Sequence, residues 1–222
     1  MTSFAIKIIA AVSMLIDHVG LIFFPTMPVL RILGRLAFPI FAFCIAEGFC
    51  HTRNKKRYFL QIFVLGAVCQ LVYFIVDGSM YLGVLISFSA AILLMWAFEG
   101  VKNAEGTKKA GNALLFAAAV GLAYLLCRTV EVDYGFWGMM LPLLLYIGGK
   151  RPWNLLLFTL GLAALCWELA ELGGFTVQWF SLLTLPLLWL YNGQRGRYRW
   201  KYFFYIFYPA HLAVLYLLDM LI

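Results

Sequence analysis

Long apolar runs alternate with short clusters of charged and turn-forming residues along the whole chain. A helix that crosses a bilayer needs roughly 20 residues, most of them apolar. Nine runs approach this length, although the sixth is short, so the pattern predicts an all-α integral membrane protein with about nine transmembrane helices. The runs lie at about residues 4–24, 29–49, 58–76, 80–98, 111–127, 134–148, 153–171, 175–191 and 202–221.

The composition supports this fold class and leaves no room for a soluble domain. Of the 222 residues, 64% are hydrophobic and 12% are charged, whereas soluble domains average about 45–50% apolar and about 25% charged residues. Nine spans would use about 180 residues, which leaves about 42 for loops and ends. We therefore predict one transmembrane domain over residues 1–222, with any chemistry lying among the helices or at their ends.

Lysine and arginine are concentrated in every second loop, and the intervening loops carry only Arg128. The positive-inside rule places the basic loops in the cytoplasm, with the N-terminus inside and the C-terminus outside. This orientation accounts for the net charge of +7, and no nucleic-acid partner is expected because no recognition domain accompanies the basic residues. The basic loops contain Arg53, Lys55, Lys56, Arg57, Lys102, Lys108, Lys109, Lys150, Arg151, Arg195, Arg197, Arg199 and Lys201.

A few charged residues lie inside the apolar runs, where each costs about 2.5–3.5 kcal/mol on insertion. Asp17 and His18 fall in the outer half of the first run, and Arg31 and Arg35 fall at the same depth in the second. The two arginines share a helix face because they are four residues apart. Pro39 cannot donate to the carbonyl of Arg35 and leaves it free. A polar cluster in the outer half of the membrane is therefore plausible by depth alone.

His18 is the strongest candidate for chemistry, since an imidazole titrates near pH 7. His211 in the ninth run could reach the same level, and Tyr208 lies on the same helical stripe. The simpler interpretations stay open: Asp17 could serve only to pair with an arginine, and His211 could be a structural residue whose hydrogen bonds are made within the helix bundle. Glu47 lies near the inner end of the second run. A carboxylate at this interface costs little free energy and is often merely solvated.

Lys7 precedes His18 by nearly three helical turns, so the two side chains point the same way about 16 Å apart. They could line the two ends of one channel, with the lysine at its cytoplasmic mouth. The basic loop 53–57 and the aromatic basic stretch 195–201 face the same predicted side. Such patches are typical of topology signals or anionic-lipid contacts, and they could instead bind a phosphate-rich cytoplasmic ligand.

Three stretches of the chain carry a recognisable pattern. They are KIIAAVSMLIDHVG at 7–20, RILGRLAFPIFAF at 31–43 with AEGF and HTRN after it, and YNG at 191–193 with KYFFY, YP and HL at 201–212. Together they resemble the TraX family, which is linked to acetylation of the N-terminus of F-type conjugative pilin. In addition, Lys7 is followed after ten residues by His18, which is similar to the acyltransferase type 3 group, where an arginine is followed after ten residues by a histidine.

The resemblance implies an acetyltransferase of the bacterial cytoplasmic membrane, with acetyl-CoA as co-substrate and an exported peptide or glycan as acceptor. Acyl transfer needs a base with a pKa near the working pH and donors near the developing oxyanion. No metal is expected. The implied catalytic residues are His18, Asp17, Arg35 and His211; the implied cofactor ligands are Lys7, Arg53, Lys56, Arg57, Arg197 and Lys201; and the implied substrate or oxyanion residues are Arg31, Glu47 and Tyr208.

Two other classes of function remain compatible with the sequence. The same intramembrane charges could form the path of a transporter or proton-coupled permease, although no internal repeat is visible of the kind common in transporters. The chain could also be a structural partner of a secretion or pilus apparatus, in which case His18 would be dispensable.

Overall fold

The computed structural model describes residues 1–78, 81–171, 176–197 and 201–221, with the backbone alone for 76, 77, 176, 201 and 202. These residues are helical, and they contain no strand beyond one isolated β-bridge between Leu82 and Val132. The all-α fold class is therefore confirmed. The elements are α1 (Ser3–Ile22), α2 (Pro28–Gly34), α3 (Ala37–His51), α4 (Lys55–Asp77), α5 (Val84–Asn103), α6 (Gly106–Thr129), α7 (Gly135–Gly148), α8 (Trp153–Glu171), a 3₁₀ segment (Thr176–Leu183), α9 (Thr184–Trp189) and α10 (Lys201–Asp219).

Among the residues that the structure describes, six helical stretches are long and apolar enough to cross a bilayer. They have 19 to 24 residues, which at about 1.5 Å per residue matches a hydrocarbon core of about 30 Å. They comprise α1, the pair α2–α3 (Pro28–His51), α4 over Lys55–Ile75, α5, α6 and α8. Three shorter apolar helical stretches are Gly135–Gly148, Val177–Trp189 and Phe203–Asp219.

Large apolar side chains remain exposed along α4 and α6, including Ile75, Leu114 and Leu122. A surface of this kind is costly in water but natural against lipid, because lipid tails are as apolar as the side chains. The long apolar helices and their apolar outer faces together define an all-helical membrane protein.

The helices form two compact units, and the predicted single domain stays a prediction. The first unit contains Met1–Cys44 and Leu162–Ile222. In it, α1 packs against both α2 and α10, and α2 packs against the 3₁₀ segment. The second unit contains Ile45–Gly161, and its central helix α5 packs against α4, α6 and α7.

In the second unit, the loop before α5 is tied to the loop before α7. Leu82 donates its N–H to the carbonyl of Glu131 at 2.9 Å and accepts from the N–H of Asp133 at 2.9 Å. Burial raises the pKa of the neighbouring Tyr81, and the charge of Asp133 and a hydrogen bond to it add to the shift. Tyr81 therefore stays a neutral phenol.

The predicted second span, 29–49, is interrupted between the end of α2 at Gly34 and the start of α3 at Ala37. Pro39 explains the break, because it has no N–H for the carbonyl of Arg35 and its ring crowds that carbonyl. Upstream, the N–H of Arg35 still bonds to the carbonyl of Arg31 at 3.1 Å. The break places both arginines in the last turn and cap of α2, beside α1.

Candidate functional site

Adjacent residues of α1 face different neighbours in the first unit. Successive helical residues point about 100° apart, and accordingly Asp17 contacts α2 while His18 contacts α10. The carboxylate next to His18 in sequence is therefore not the group that orients its imidazole. Two separate polar groupings result, an arginine–aspartate cluster and a histidine pair.

The arginine–aspartate cluster consists of Asp17, Arg31 and Arg35. Arg35 donates from Nη2 to both oxygens of the Asp17 carboxylate, at 2.7 and 2.8 Å. Arg31 Nη1 lies 2.9 Å from Asp17 Oδ2 and also donates to the backbone carbonyl of Asp17 at 3.2 Å. Three groups predicted from depth alone to share one level are thus brought into direct contact.

Gln178, from the 3₁₀ segment, extends this cluster. Its Oε1 accepts from Arg35 Nη1 at 3.2 Å, and its backbone carbonyl accepts from the thiol of Cys166 on α8 at 3.3 Å. The amide oxygen must face Arg35 because a guanidinium can only donate. Sequence reasoning missed Gln178, and the only available signal was a polar amide within an otherwise apolar run.

Two glycines allow α1 and α2 to approach closely enough for these contacts. A Cβ at Gly34 would overlap the side chain of Asp17, and a Cβ at Gly20 would lie 2.6 Å from the Cβ of Leu30. Small residues at crossing points are the usual means of close packing between membrane helices. The ion cluster therefore depends on the absence of a side chain at Gly34.

The histidine pair joins α1 to α10. Nε2 of His211 lies 3.3 Å from Nδ1 of His18, and the ring centroids are 4.9 Å apart at an interplanar angle of 70°. Each Nδ1 also lies 2.8 Å from the backbone carbonyl four residues earlier, that of Met14 for His18 and that of Phe207 for His211. The ring of Phe207 stacks on His211 at 5.1 Å.

The two histidines differ in accessibility. His211 is 6% exposed, whereas His18 is half-buried. Tyr208 lies beside the pair, with its ring centroid 6.0 Å from that of His211.

Lys7 lies on the same side of α1 as His18, as the spacing predicts. Its Nζ is 5.9 Å from the ring centroid of Phe204 on α10, two helical turns before His211. The backbone of Ser3 and Phe4 donates to the carbonyls of Gln194 and Arg195, at 2.7 and 3.2 Å.

This pairing brings the basic loop before α10 to the Lys7 end of α1. Arg195 and Arg197 are exposed in that loop. Gly196 has a φ of +86°, a conformation that favours glycine, and a Cβ there would lie 2.9 Å from Thr2 Oγ1. The side chain of the predicted cofactor ligand Lys201, at the start of α10, lies outside the described residues.

The remaining predicted site residues belong to the second unit. Arg53, Lys56 and Arg57 are exposed around the start of α4, which Asn54 caps by accepting from the N–H of Arg57 at 2.8 Å. Glu47 lies one turn before His51, whose Nδ1 is 3.5 Å from Glu47 Oε2.

A lysine that sequence analysis counted in the basic loop 53–57 is instead enclosed in the second unit. Lys55 Nζ donates to the carbonyl of Phe49 at 2.6 Å, lies 3.9 Å from the centre of that ring and is 3.6 Å from Glu99 Oε1. Tyr146 donates to the same carboxylate oxygen at 3.4 Å. The signal for this cluster was Glu99, an acidic residue just beyond a predicted span.

The first unit thus combines long apolar helices with a paired charge cluster and a half-buried imidazole, which is the arrangement of a polytopic membrane protein with polar groups among its helices. The sequence model of the TraX protein family matches residues 3–219. The chain therefore belongs to the TraX family.

Relatives in three bacteria are similar to this chain. The probable fimbrial assembly protein FimC, serogroup H1, of Dichelobacter nodosus is 27% identical, with 96% of this chain and 94% of that protein aligned. The protein TraX of Escherichia coli is 27% identical, with 95% of this chain and 84% of that protein aligned. An uncharacterized Rickettsia prowazekii protein is 35% identical over 66 residues, which are 30% of this chain and 25% of that protein. No solved structure matches the chain significantly.

Proposed function

We propose that this protein is an acetyltransferase of the bacterial cytoplasmic membrane. It moves an acetyl group from cytoplasmic acetyl-CoA to an amine or hydroxyl of an exported acceptor. The observation that carries the proposal is the half-buried imidazole of His18, whose Nε2 has no hydrogen-bond partner among the described residues. The resemblance to fimbrial assembly and TraX proteins supports a pilin-like N-terminus as acceptor, with a glycan as the alternative.

The chemistry follows from what a thioester and an amine require. The amine nitrogen forms a bond to the acetyl carbon, the carbon–sulfur bond breaks, and the proton lost by the amine reaches the leaving thiolate. His18 can take and return that proton, while Arg31, Arg35 and Tyr208 supply positive charge or donors near the developing oxyanion. A transient acetyl-histidine would use the same imidazole.

The proposal places coenzyme A at the basic end of α1. Its phosphates would bind Lys7 and Arg197, with Lys201 adding a further charge, and its pantetheine arm would carry the thioester toward His18. The separation of about 16 Å between Lys7 and His18 suits an extended arm. Arg53, Lys56 and Arg57 are exposed cations of the second unit, and their proposed role as phosphate ligands rests on the family resemblance alone.

The proposal also includes the membrane topology. We propose that the three shorter apolar stretches cross the bilayer as well, which gives nine crossings with the N-terminus in the cytoplasm and the C-terminus outside. At about 1.5 Å per residue, α7 spans only about 21 Å. A short helix of this kind is accommodated by local thinning of the bilayer.

The direct test uses purified protein in lipid nanodiscs with labelled acetyl-CoA and a pilin-like N-terminal peptide. We expect saturable binding of acetyl-CoA and transfer of label to the peptide amine. His18→Ala should lower the transfer rate by about 10²–10⁴-fold, since this is the usual contribution of a general base. The triple variant Arg53→Ala, Lys56→Ala, Arg57→Ala should weaken the binding of acetyl-CoA.

A matched control for the acetyl-CoA binding measurement is the triple variant Lys102→Ala, Lys108→Ala, Lys109→Ala. It removes the same amount of positive charge from another set of exposed lysines. This control should bind acetyl-CoA as the unchanged protein does. Absence of saturable acetyl-CoA binding would overturn the proposal, and full transfer by His18→Ala would overturn the catalytic assignment. Substrate uptake into proteoliposomes without acetyl-CoA would favour a permease instead.

A further inference from the structure

Backbone carbonyls determine where the protons lie in the histidine pair. A carbonyl oxygen can only accept a hydrogen bond. The 2.8 Å contacts to Met14 O and Phe207 O therefore require a proton on Nδ1 of both His18 and His211. A neutral imidazole carries one N–H, so Nε2 is the unprotonated acceptor nitrogen in each ring.

The contact between the two rings agrees with this assignment. The acceptor Nε2 of His211 lies 3.3 Å from the donor Nδ1 of His18. The Nδ1–H of His18 is thus shared between Met14 O and His211 Nε2. A proton on Nε2 of His211 would set two N–H groups against each other, so the pair is stable only with His211 neutral.

The surroundings of His211 hold it in this state. Its ring is 6% exposed and stacks on Phe207 at an interplanar angle of 9°. The carboxylate of Asp17 binds Arg31 and Arg35, and the hydrogen bonds of the two imidazoles run to Met14, Phe207 and each other. His18 presents its remaining nitrogen, Nε2, with no partner among the residues that the structure describes.

We infer that Nε2 of His18 is the reacting atom and that His211 is its positioning residue, the acceptor that fixes the tautomer and ring orientation of His18. The expected effect of His211 on the reaction rate rests on the proposed acetyl transfer, whereas the proton positions in the histidine pair do not depend on that proposal. His211 takes the place that a carboxylate occupies behind the histidine of a serine-protease triad. Because a neutral imidazole replaces a charge, the pair adds no ion to the membrane interior.

In direct transfer, His18 carries the proton from the acceptor amine to the leaving thiolate. The acceptor amine attacks the thioester carbon while its proton moves to Nε2 of His18, and the resulting imidazolium donates its Nδ1–H to His211 Nε2 and Met14 O. When the carbon–sulfur bond breaks, the proton on Nε2 passes to the thiolate sulfur. His18 returns to its neutral tautomer, and His211 gains and loses no proton.

The first test measures proton positions without any assay of activity. The chain has three histidines, so ¹⁵N-histidine labelling in lipid bilayers gives a spectrum that His51→Gln and His211→Gln can assign. We expect neutral His18 to carry its proton on Nδ1, with Nε2 unprotonated and a coupling between His18 Nδ1–H and His211 Nε2. A neutral His18 with its proton on Nε2 would overturn the inference.

The second test compares two replacements of similar size. His211→Gln keeps an acceptor oxygen that can reach the His18 Nδ1–H, whereas His211→Leu fills the space without an acceptor. We expect His211→Leu to lower kcat by about 10–100-fold, as loss of an orienting outer partner does at metal-bound histidines, with the KM for acetyl-CoA unchanged. His211→Gln should retain most of the activity.

The outcomes separate the inference from the proposed function. Equal kcat values in His211→Leu and the unchanged protein, with both folded by thermal unfolding, would overturn the positioning role. A change confined to KM would do the same. If the unchanged protein transfers no acetyl group, the proposed function fails, and the NMR spectrum still decides the tautomer.

Discussion

Asp17 accepts two hydrogen bonds from a single nitrogen of Arg35, at 2.7 and 2.8 Å, and both side chains are 14% exposed. The same carboxylate pairs with Arg31 at 2.9 Å. One acidic residue therefore neutralises charge on two arginines within apolar helices, and the packing of α1 on α2 depends on it.

Removing this charge should destabilise the first unit. Asp17→Asn removes the negative charge that both guanidinium groups bind. Removing one partner of a buried ion pair costs on the order of 3 kcal/mol. The free energy of unfolding, measured by denaturant titration in detergent micelles, should fall accordingly. Glu105→Gln removes an exposed carboxylate and should leave the transition unchanged; equal transitions for both variants would contradict the prediction.

Filling the space at Gly34 should also destabilise the protein. In Gly34→Ala the new methyl group overlaps Asp17, so the cluster must shift, at a cost of about 1–3 kcal/mol for overpacking. Gly121 in α6 is the matched control, since a Cβ there meets nothing within 4 Å. Gly121→Ala should stabilise the protein by about 0.5–1 kcal/mol, and thermal unfolding should show shifts of opposite sign. A Gly34→Ala variant as stable as the unchanged protein would show that α1 and α2 have room to separate.

The enclosed lysine of the second unit gives a further prediction. Lys55→Met should lower the free energy of unfolding by about 1–3 kcal/mol, because it removes the cation that donates to the Phe49 carbonyl and pairs with Glu99. Lys56→Met, at the next and exposed position, should have little effect. Adding Glu99→Gln to Lys55→Met should restore part of the loss, and strict additivity of the two changes would argue against a direct interaction.

Membrane sidedness can be measured with single cysteines. After replacement of the five native cysteines, Glu131→Cys should react with an impermeant maleimide in right-side-out spheroplasts. Glu105→Cys should react only after permeabilisation, because its loop belongs to the basic, cytoplasmic set. Both positions are exposed, so the reverse pattern would overturn the proposed orientation.

Much of the fold follows from the sequence because membrane helices have a strong and simple signal. Apolar length located the long helices, but the second run was predicted as one continuous span, and the interruption between Gly34 and Ala37 was not predicted. Depth along the helices brought Asp17 and the two arginines to one level. Helical spacing placed Lys7 and His18 on one side of α1, where both contact α10.

Other features required the structure because they depend on contacts distant in sequence. Gln178 carries no charge and stands in an apolar run, so nothing marked it as a partner of Arg35. Lys55 was counted with the exposed loop cations, yet a cation near a helix end can also fold back on an aromatic ring. The roles of the two histidine nitrogens depend on backbone carbonyls, which no residue pattern reveals.

Asp17 and His18 contact different neighbouring helices, and this has a mechanical consequence for α1. Rotation of α1 about its own axis in either direction would strain the ion pairs to α2 or the imidazole contact to α10. The helix is therefore clamped against twisting at that turn.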